Sequence, residues 1–148
     1  MIYALNELNE KIYAQPKMRA RCLCCNEEVL AKCGSIKVWH WSHKANSECD
    51  YWYEPMTEWH QKWQSIFPKE FREIVLFDDI TKEKHIADIR LPNELVLEFQ
   101  HSKIDILEFI KRTEFYKKII WILDGKNFLT KDFKIIHEKE RHPYYLIE

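Results

Sequence analysis

Glycine and long apolar runs are both scarce in this sequence. Only two of the 148 residues are glycine, which excludes the glycine-rich repeats of fibrous and low-complexity proteins. No run approaches the roughly 20 consecutive apolar residues that a membrane-spanning helix needs, and the mean hydropathy of -0.50 agrees. The chain does have 46% hydrophobic and 14% aromatic residues, which suffice for the core of one domain with a small satellite.

A strong overall charge and a basic leader are also missing. The formal net charge is -1, so a nucleic-acid-binding protein of this composition would need a local basic face. The first residues, MIYALNELNEKIYA, include acids and lack the basic region of a signal peptide. We therefore expect a cytoplasmic protein that does not enter a membrane. In that compartment five cysteines are more often metal ligands or free thiols than disulfides.

Cysteines and histidines in the first third of the chain have the spacing of a metal site. Cys22 and Cys25 form a CxxC pair, and His40 and His43 form an HxxH pair. Residues 28–33 and 36–41, between the pairs, have the composition of two β-strands joined at Gly34-Ser35. Four such ligands can hold Zn²⁺ in a closed tetrahedral site, which stabilises a module too small for a core of its own. We predict a structural zinc site with these four ligands.

Three further thiols compete for this site: Cys24, Cys33 and Cys49. The HxxH spacing is one residue shorter than that of the usual zinc-finger histidine pair. Cys49 is close enough in the sequence to replace one histidine. The alternative without metal is a set of buried free thiols and two surface histidines.

A helical pattern follows in PMTEWHQKWQSIF. Its apolar residues, Trp59, Trp63, Ile66 and Phe67, recur at helical spacing and predict one buried face. The same helix carries three polar candidates, which are Glu58, His60 and Lys62. Isolated charged residues on a helix are usually solvated, so their role depends on what the helix packs against.

The functional hypothesis rests on the residues from 85 to 124. HIADIRL and LVLEFQ predict two strands paired across a tight turn. Strand alternation places Glu98 and Gln100 on one face, and Asp88 can meet them from the preceding strand. Carboxylates that converge on Mg²⁺ or Mn²⁺ neutralise a phosphodiester and lower the pKa of the attacking water. We predict Asp88 and Glu98 as magnesium ligands, with the backbone carbonyl of Phe99 as a third.

Other polar residues could complete such a site. Gln100 occupies the position where a lysine commonly positions the water. Glutamine can orient a water but carries no positive charge, which Lys103, His85 or Lys62 could supply. Glu58, on the preceding helix, could bind or orient the metal.

The end of this stretch predicts a capped helix and a strand. Asp105 and Glu108 form a D-x-x-E capping box. Arg112 and Tyr116 lie on a common stripe of the helix that follows. The continuous apolar run 119–123 predicts a central strand covered on both faces.

The run HIADIRL…LVLEFQHSKI…EFIKRTEFY…IIWILD resembles the nuclease-like domain of the competence protein CoiA family, in the PD-(D/E)XK nuclease superfamily. The upstream segments CLCC, HWSH and TEWHQKW are also similar to that family, so the resemblance covers roughly residues 1 to 124. It implies a restriction-endonuclease-like α/β fold, a mixed sheet flanked by helices, in residues 54–148. Residues 1–53 would form a β hairpin and a small zinc-binding β module. Ala87 replaces the proline of the superfamily, and Gln100 replaces its lysine.

The resemblance and the pattern together predict a metal-dependent nuclease that hydrolyses DNA, with Mg²⁺ or Mn²⁺ as the catalytic cofactor and Zn²⁺ as the structural one. The residues expected to take part in catalysis are Glu58, Asp88, Glu98 and Gln100. The residues expected to bind substrate are His60, Lys62, Arg112 and Tyr116. A second hypothesis is a catalytically inactive nuclease-fold module that binds nucleic acid or a protein partner. A third is a zinc-stabilised α/β domain whose acidic residues are structural.

Overall fold

The computed structural model describes residues 1–44, 49–52 and 56–128, and two short strands at 135–136 and 146–147. Its elements in chain order are β1 Tyr3–Leu5, β2 Lys11–Tyr13, β3 Arg19–Arg21, β4 Glu28–Lys32, β5 His40–His43, α1 Glu58–Ser65, a 3₁₀ turn at Lys69–Phe71, β6 Arg72–Phe77, β7 Lys84–Arg90, β8 Val96–Gln100, α2 Ile106–Tyr116, β9 Ile119–Leu123, α3 Gly125–Phe128, β10 Ile135–Ile136 and β11 Leu146–Ile147. Within these ranges, no helix has the length and apolar character that crossing a membrane requires.

The first sheet is antiparallel and has the strand order β2-β1-β3-β4-β5. Its core includes Ala4, Val29 and Trp41, which are fully buried. The indole of Trp41 donates to the backbone carbonyl of Ile12 at 3.0 Å, so the largest core side chain also satisfies its polar atom. The last strand begins at His40, later than the predicted strand from residue 36 to residue 41.

The second sheet is mixed, with the strand order β6-β7-β8-β9. Its neighbours are antiparallel except β8 and β9, which run parallel and are connected through α2. All five residues of β8 are buried, whereas β9 lies at the edge of this sheet and Ile120 is exposed. The prediction of a central strand at 119–123 is therefore wrong within the described residues. Its apolar run indicates burial but not the sheet order, which depends on the crossover through α2.

Each of the two longer helices has a side chain that caps its N-terminus with a hydrogen bond. Thr57 caps α1 by accepting from the backbone N–H of His60 at 3.2 Å. Asp105 caps α2 by accepting from the N–H groups of Leu107 and Glu108, at 2.8 and 3.4 Å, which is the Asp105 half of the predicted capping box. The carboxylate of Glu108 contacts a guanidinium of its own helix.

Contacts join the two sheets. Val75 and Ile86 pack against the core of the first sheet. The buried carboxylate of Glu73 accepts from the backbone N–H groups of Ile2 and Tyr3, at 2.6 and 2.8 Å. The sheets occupy the predicted segments 1–53 and 54–148, and the division into two separate domains stays a prediction.

Candidate functional site

Four side chains of the N-terminal region form a Cys/His cluster, which consists of Cys22, Cys25, His43 and Cys49. Their ligand atoms all lie within 4.8 Å of one another. The sulfurs of Cys22 and Cys49 are 3.6 Å apart, and the sulfur of Cys25 is 3.2 Å from Nε2 of His43. Tetrahedral zinc, with Zn–S bonds of about 2.3 Å, places two sulfurs about 3.7 Å apart. The cluster therefore fits a zinc ion.

The turn after β3 orients the two ligands of the CxxC pair. The N–H of Cys24 points at the sulfur of Cys22, 3.3 Å away, and Asn26 closes the turn with a φ of 65°. A hydrogen bond with Cys49, together with burial, raises the pKa of Cys22, and burial raises the pKa of Cys25. Such thiols stay protonated alone and release their protons when a cation binds.

His40 lies outside the Cys/His cluster, and Cys49 takes the fourth position. Residues three apart on a strand point to opposite faces, so His40 and His43 of β5 cannot converge on one ion. Nδ1 of His40 lies 2.7 Å from the backbone carbonyl of Val38. This corrects the predicted ligand set, because Cys49 replaces one histidine as the sequence alternative allowed.

The segment 49–52 connects the Cys/His cluster to the second sheet. Asp50 accepts from the N–H of Ile86 at 2.9 Å, and Nδ1 of His85 is 2.9 Å from its other oxygen. Burial opposes the charge of Asp50, but these hydrogen bonds outweigh it and lower its pKa. The ring of Trp52 stacks on His85, with centroids 3.3 Å apart. The backbone of this segment is thus held firmly on β7.

Asp88 and Glu98 face each other where the pairing of β7 is interrupted. Backbone pairing joins Ile89 to Leu97 but does not extend to the next position, where the two acids are opposite. Instead, the N–H of Phe99 donates to Asp88 at 2.9 Å, and the N–H of Asp88 donates to Glu98 at 3.1 Å. Each carboxylate therefore replaces a backbone acceptor of the sheet and is fixed by the opposite strand.

The interruption extends to the other neighbour of β7. Strand β6 pairs with β7 through Arg72 and Ile74, but Glu73 between them is not paired with Asp88. Glu73 has a φ of 44°, a left-handed conformation that costs energy for a residue other than glycine. Because its carboxylate is bonded to the first sheet, the interruption occurs where the two sheets meet.

Helix α1 contributes two side chains to Asp88. Nε2 of His60 lies 2.7 Å from Oδ1 of Asp88, and the amide of Gln64 donates to the same oxygen at 3.1 Å. His60 and Gln64 are one helical turn apart and both are buried. The most deeply buried residues of α1 are thus polar. Of the predicted apolar face, Trp59 and Phe67 pack against the core of the second sheet. Trp63 is partly exposed but stacks on Phe99, and Ile66 is exposed. Gln64 was not predicted, although its i+4 spacing from His60 marks it.

Helix α2 contributes the buried Arg112 to the other carboxylate. Its Nη1 lies 3.4 Å from Oε2 of Glu98, and its Nη2 donates to the backbone carbonyl of Trp52 at 2.6 Å and contacts Glu108. Burial and the charge of Asp88 raise the pKa of Glu98 well above its ordinary value, which Arg112 only partly opposes. Burial and the nearby carboxylates raise the pKa of Tyr116.

These groups surround one acidic cavity of about 60 Å³, lined by His60, Asp88, Glu98, Arg112 and Tyr116 among others. It has room for a cation with a few waters. A carboxylate has about four lone-pair sites, and the hydrogen bonds of Asp88 and Glu98 leave one free on Asp88 Oδ2 and one on each Glu98 oxygen. The donor set is hard oxygen, which Mg²⁺ and Mn²⁺ prefer. The residues present therefore fit a divalent cation.

Three predicted site residues do not line the acidic cavity. Glu58 and Lys62 are each two positions from His60, about 200° around the helix, and both line a groove on the other side of α1. Gln100 is buried, and its amide donates to the backbone carbonyl of Ser102 at 2.9 Å. Alternation places Gln100 on the face of Glu98, but its side chain secures the end of β8.

Two family models match the chain in sequence. The model described as competence protein CoiA, N-terminal domain, matches residues 5–52, and the model described as competence protein CoiA, nuclease-like domain, matches residues 77–146. The chain belongs to the CoiA competence protein family. No curated protein and no solved structure matches it. The first match of this CoiA-like chain contains the Cys/His cluster, and the second contains Asp88, Glu98 and Arg112.

These matches confirm the predicted family and, with the two sheets, the nuclease-like α/β fold beside a small Cys/His module. Helix α1, which supplies His60 and Gln64 to the acidic cavity of this CoiA-like protein, lies between the two matched ranges.

Proposed function

We propose that this protein is a metal-dependent nuclease that hydrolyses DNA phosphodiester bonds with Mg²⁺ or Mn²⁺ bound by Asp88 and Glu98. The observation that carries the proposal is the pair of opposed carboxylates at the interruption of β7, in a cavity where burial keeps the pKa of Glu98 high. A divalent cation would relieve that electrostatic cost. The match to a nuclease-like domain supports the same reading.

The bound cation would neutralise charge on the phosphate and lower the pKa of a water molecule. The protein groups around it would hold the ligands in place. His60 and Gln64 fix the rotamer of Asp88, and Arg112 holds Glu98 from the opposite side. In this proposal His60 and Arg112 position the metal ligands and do not bind substrate. Glu58 and Gln100 have no part in metal binding.

The proposal assigns the Cys/His cluster a structural Zn²⁺. Its three sulfurs and one imidazole nitrogen form a closed set of four ligands. Such an ion would fix the turn after β3, the end of β5 and the segment 49–52 to one another.

A second candidate function is a catalytically inactive module that keeps the nuclease fold and binds nucleic acid or a protein. One observation favours it: both carboxylates already have hydrogen-bond partners, and Arg112 partly compensates the charge of Glu98. A network satisfied in this way could be structural.

The test is cleavage of linear and plasmid DNA with Mg²⁺ or Mn²⁺ by the wild type and by Asp88→Asn and Glu98→Gln. These substitutions retain the side-chain shape and remove the charge, so we expect cleavage to fall by at least about a hundredfold. Glu114→Gln is the matched control, because Glu114 is an exposed acid on α2, and it should cleave as the wild type does.

Cleavage that survives both Asp88→Asn and Glu98→Gln would disprove the assignment of the site. Binding of DNA by a wild type that never cleaves it would favour the second function.

A further inference from the structure

A groove of about 630 Å³ lies on the other side of α1 from the acidic cavity. Glu58, Gln61 and Lys62 form its α1 side, and the segment 34–39 between β4 and β5 forms much of the rest, together with Tyr13. This stacking groove, as we call it, is about ten times larger than the acidic cavity. It can therefore hold a ligand that the acidic cavity cannot.

Two aromatic rings in the stacking groove are half exposed, Trp39 at 49% and Tyr13 at 47%. Hydrogen bonds fix both. The indole of Trp39 donates to the carbonyl of Gly34 at 3.1 Å, and the hydroxyl of Tyr13 is 2.7 Å from that of Tyr3. Rings held in place in this way lose little conformational entropy when a ligand stacks on them. Exposed, rigid aromatic faces are the platforms on which unpaired bases stack.

The charge of the stacking groove favours an anion. Lys37 and Lys62 are exposed in its lining, against the single acid Glu58. An adjoining cavity of about 160 Å³ shares Tyr13 and Lys62 with the groove and adds Arg72. The lining of the two is thus positive in a chain whose net charge is -1, which provides a local basic face of the kind that nucleic-acid binding requires.

The adjoining cavity also borders a residue that contacts the acidic site. It is lined by Gln64, the residue whose amide donates to Asp88 at 3.1 Å. A strand that follows this surface from Trp39 past Tyr13 would reach the helix face that holds Asp88.

We propose that the stacking groove binds a single strand of nucleic acid, with bases on Trp39 and Tyr13 and phosphates at Lys37 and Lys62. A duplex cannot bind in this way, because its paired bases already stack on one another and expose only their edges. The direction of the strand towards Asp88 rests on the proposed nuclease function, whereas binding in the groove does not.

The test is fluorescence anisotropy of labelled 20-nucleotide deoxyuridine and uridine strands, which differ only in the sugar, and of a 20-base-pair duplex, without divalent cations so that no cleavage occurs. We expect the single strands to bind more tightly than the duplex. Trp39→Ala should weaken single-strand binding about tenfold, the usual effect of losing one stacked base, and Trp39→Phe should retain most of it. Phe77→Ala is the matched control, because Phe77 is exposed to the same degree, 48%, outside the groove.

The salt dependence of binding tests the role of the two groove lysines. Lys37→Gln/Lys62→Gln should lower the slope of log Kd against log salt by about 1.4 for single strands. The control Lys111→Gln/Lys126→Gln removes two exposed lysines elsewhere and should have a smaller effect. Binding of only one of the two single strands would identify the sugar that the groove prefers and would support the proposal.

Several results would overturn the proposal. These are equal binding of duplex and single strand, binding unaffected by both Trp39→Ala and Tyr13→Ala in proteins with wild-type circular dichroism, and equal competition by a polyglutamate peptide. The nuclease proposal fails separately. If single strands bind in a way that depends on Trp39 but the protein never cleaves DNA, the groove proposal stands and the nuclease proposal fails. If the protein cleaves DNA without such binding, the nuclease proposal stands and the groove proposal fails.

Discussion

The Cys/His cluster and the acidic cavity are both candidate metal sites, but protein groups support their ligands to different degrees. In the cluster, the thiols contact mainly one another, the ring of His43 and the backbone N–H of Cys24. In the cavity, Asp88 and Glu98 accept hydrogen bonds from backbone, helix and guanidinium donors. The Cys/His cluster would therefore need an ion in order to fold, whereas protein groups alone already organise the acidic cavity.

Loss of Cys49, a ligand of the proposed zinc ion, should have the largest effect. We expect purified wild type to contain about one equivalent of zinc and Cys49→Ser to lose most of it. The free energy of unfolding should fall by several kcal/mol and the Tm by roughly 10 °C, because the metal supplies folding energy to a small module. Metal analysis and thermal melts followed by circular dichroism measure both quantities.

His40→Gln is the matched control for Cys49→Ser, because His40 lies outside the cluster. It should retain the zinc and the Tm of the wild type. Loss of zinc from His40→Gln would restore the predicted HxxH pair as ligands.

Arg112→Met should have the next largest effect. It leaves Glu98 buried without its cationic partner, so we expect a loss of about 3 kcal/mol in the free energy of unfolding. Lys111→Met, at an exposed neighbour on the same helix, should change that free energy by less than about 0.5 kcal/mol. Denaturant titration measures both. The double variant Arg112→Met/Glu98→Gln should recover part of the loss, and strict additivity would contradict the pairing.

The pH dependence of stability tests the raised pKa of Glu98. In the unfolded chain this carboxyl titrates near 4.5, and in the folded protein it titrates at higher pH. The folded state therefore binds the proton more tightly, and the stability that this proton contributes is lost as pH rises from 4.5 through the folded pKa.

In buffer without divalent cations, Glu98→Gln should consequently be more stable than wild type at pH 8, and this advantage should vanish below about pH 4.5. The expected difference is about 1.4 kcal/mol for each unit by which the pKa is raised. Added Mg²⁺ should stabilise the wild type and not the variant. Thermal melts across pH check this, and a wild type that gains stability relative to the variant towards pH 8 would refute it.

Gln64→Ala should have the smallest effect. It removes one hydrogen bond to Asp88, for which we expect a loss of about 1 kcal/mol in the free energy of unfolding. Gln61→Ala, on the groove side of the same helix, should cost less. Urea titration of the two variants compares the sides of α1, and a larger loss for Gln61→Ala would reverse their assignment.

Local patterns in the sequence predict much of this fold. Alternation locates β7 and β8 with their acids, the D-x-x-E box locates the start of α2, and the CxxC pair locates half of the cluster. These features depend on neighbours in the chain, which a sequence displays directly. The place of Cys49 in the Cys/His cluster and the edge position of β9 depend on how distant segments meet.

The sequence pattern also does not predict which side of α1 faces the acidic cavity. Amphipathic spacing predicts a buried aromatic stripe, and Trp59 does pack against the core. The spacing does not predict that His60 and Gln64 are buried more deeply, where both contact Asp88. A carboxylate on another element can thus hold polar side chains on the inner side of a helix. The left-handed backbone of Glu73 could not be predicted either, since nothing near this residue in the sequence indicates that conformation.

The segment 49–52 connects the Cys/His cluster to the acidic cavity through only four residues. Its first residue, Cys49, is a ligand of the cluster, and the carbonyl of its last residue, Trp52, holds Arg112 against Glu98. Four residues span at most about 14 Å. A displacement of Cys49 would therefore be transmitted through only two intervening residues to the carbonyl of Trp52 and so to the guanidinium of Arg112. The accuracy with which the acidic site is assembled would therefore depend, in part, on the thiols of the Cys/His cluster.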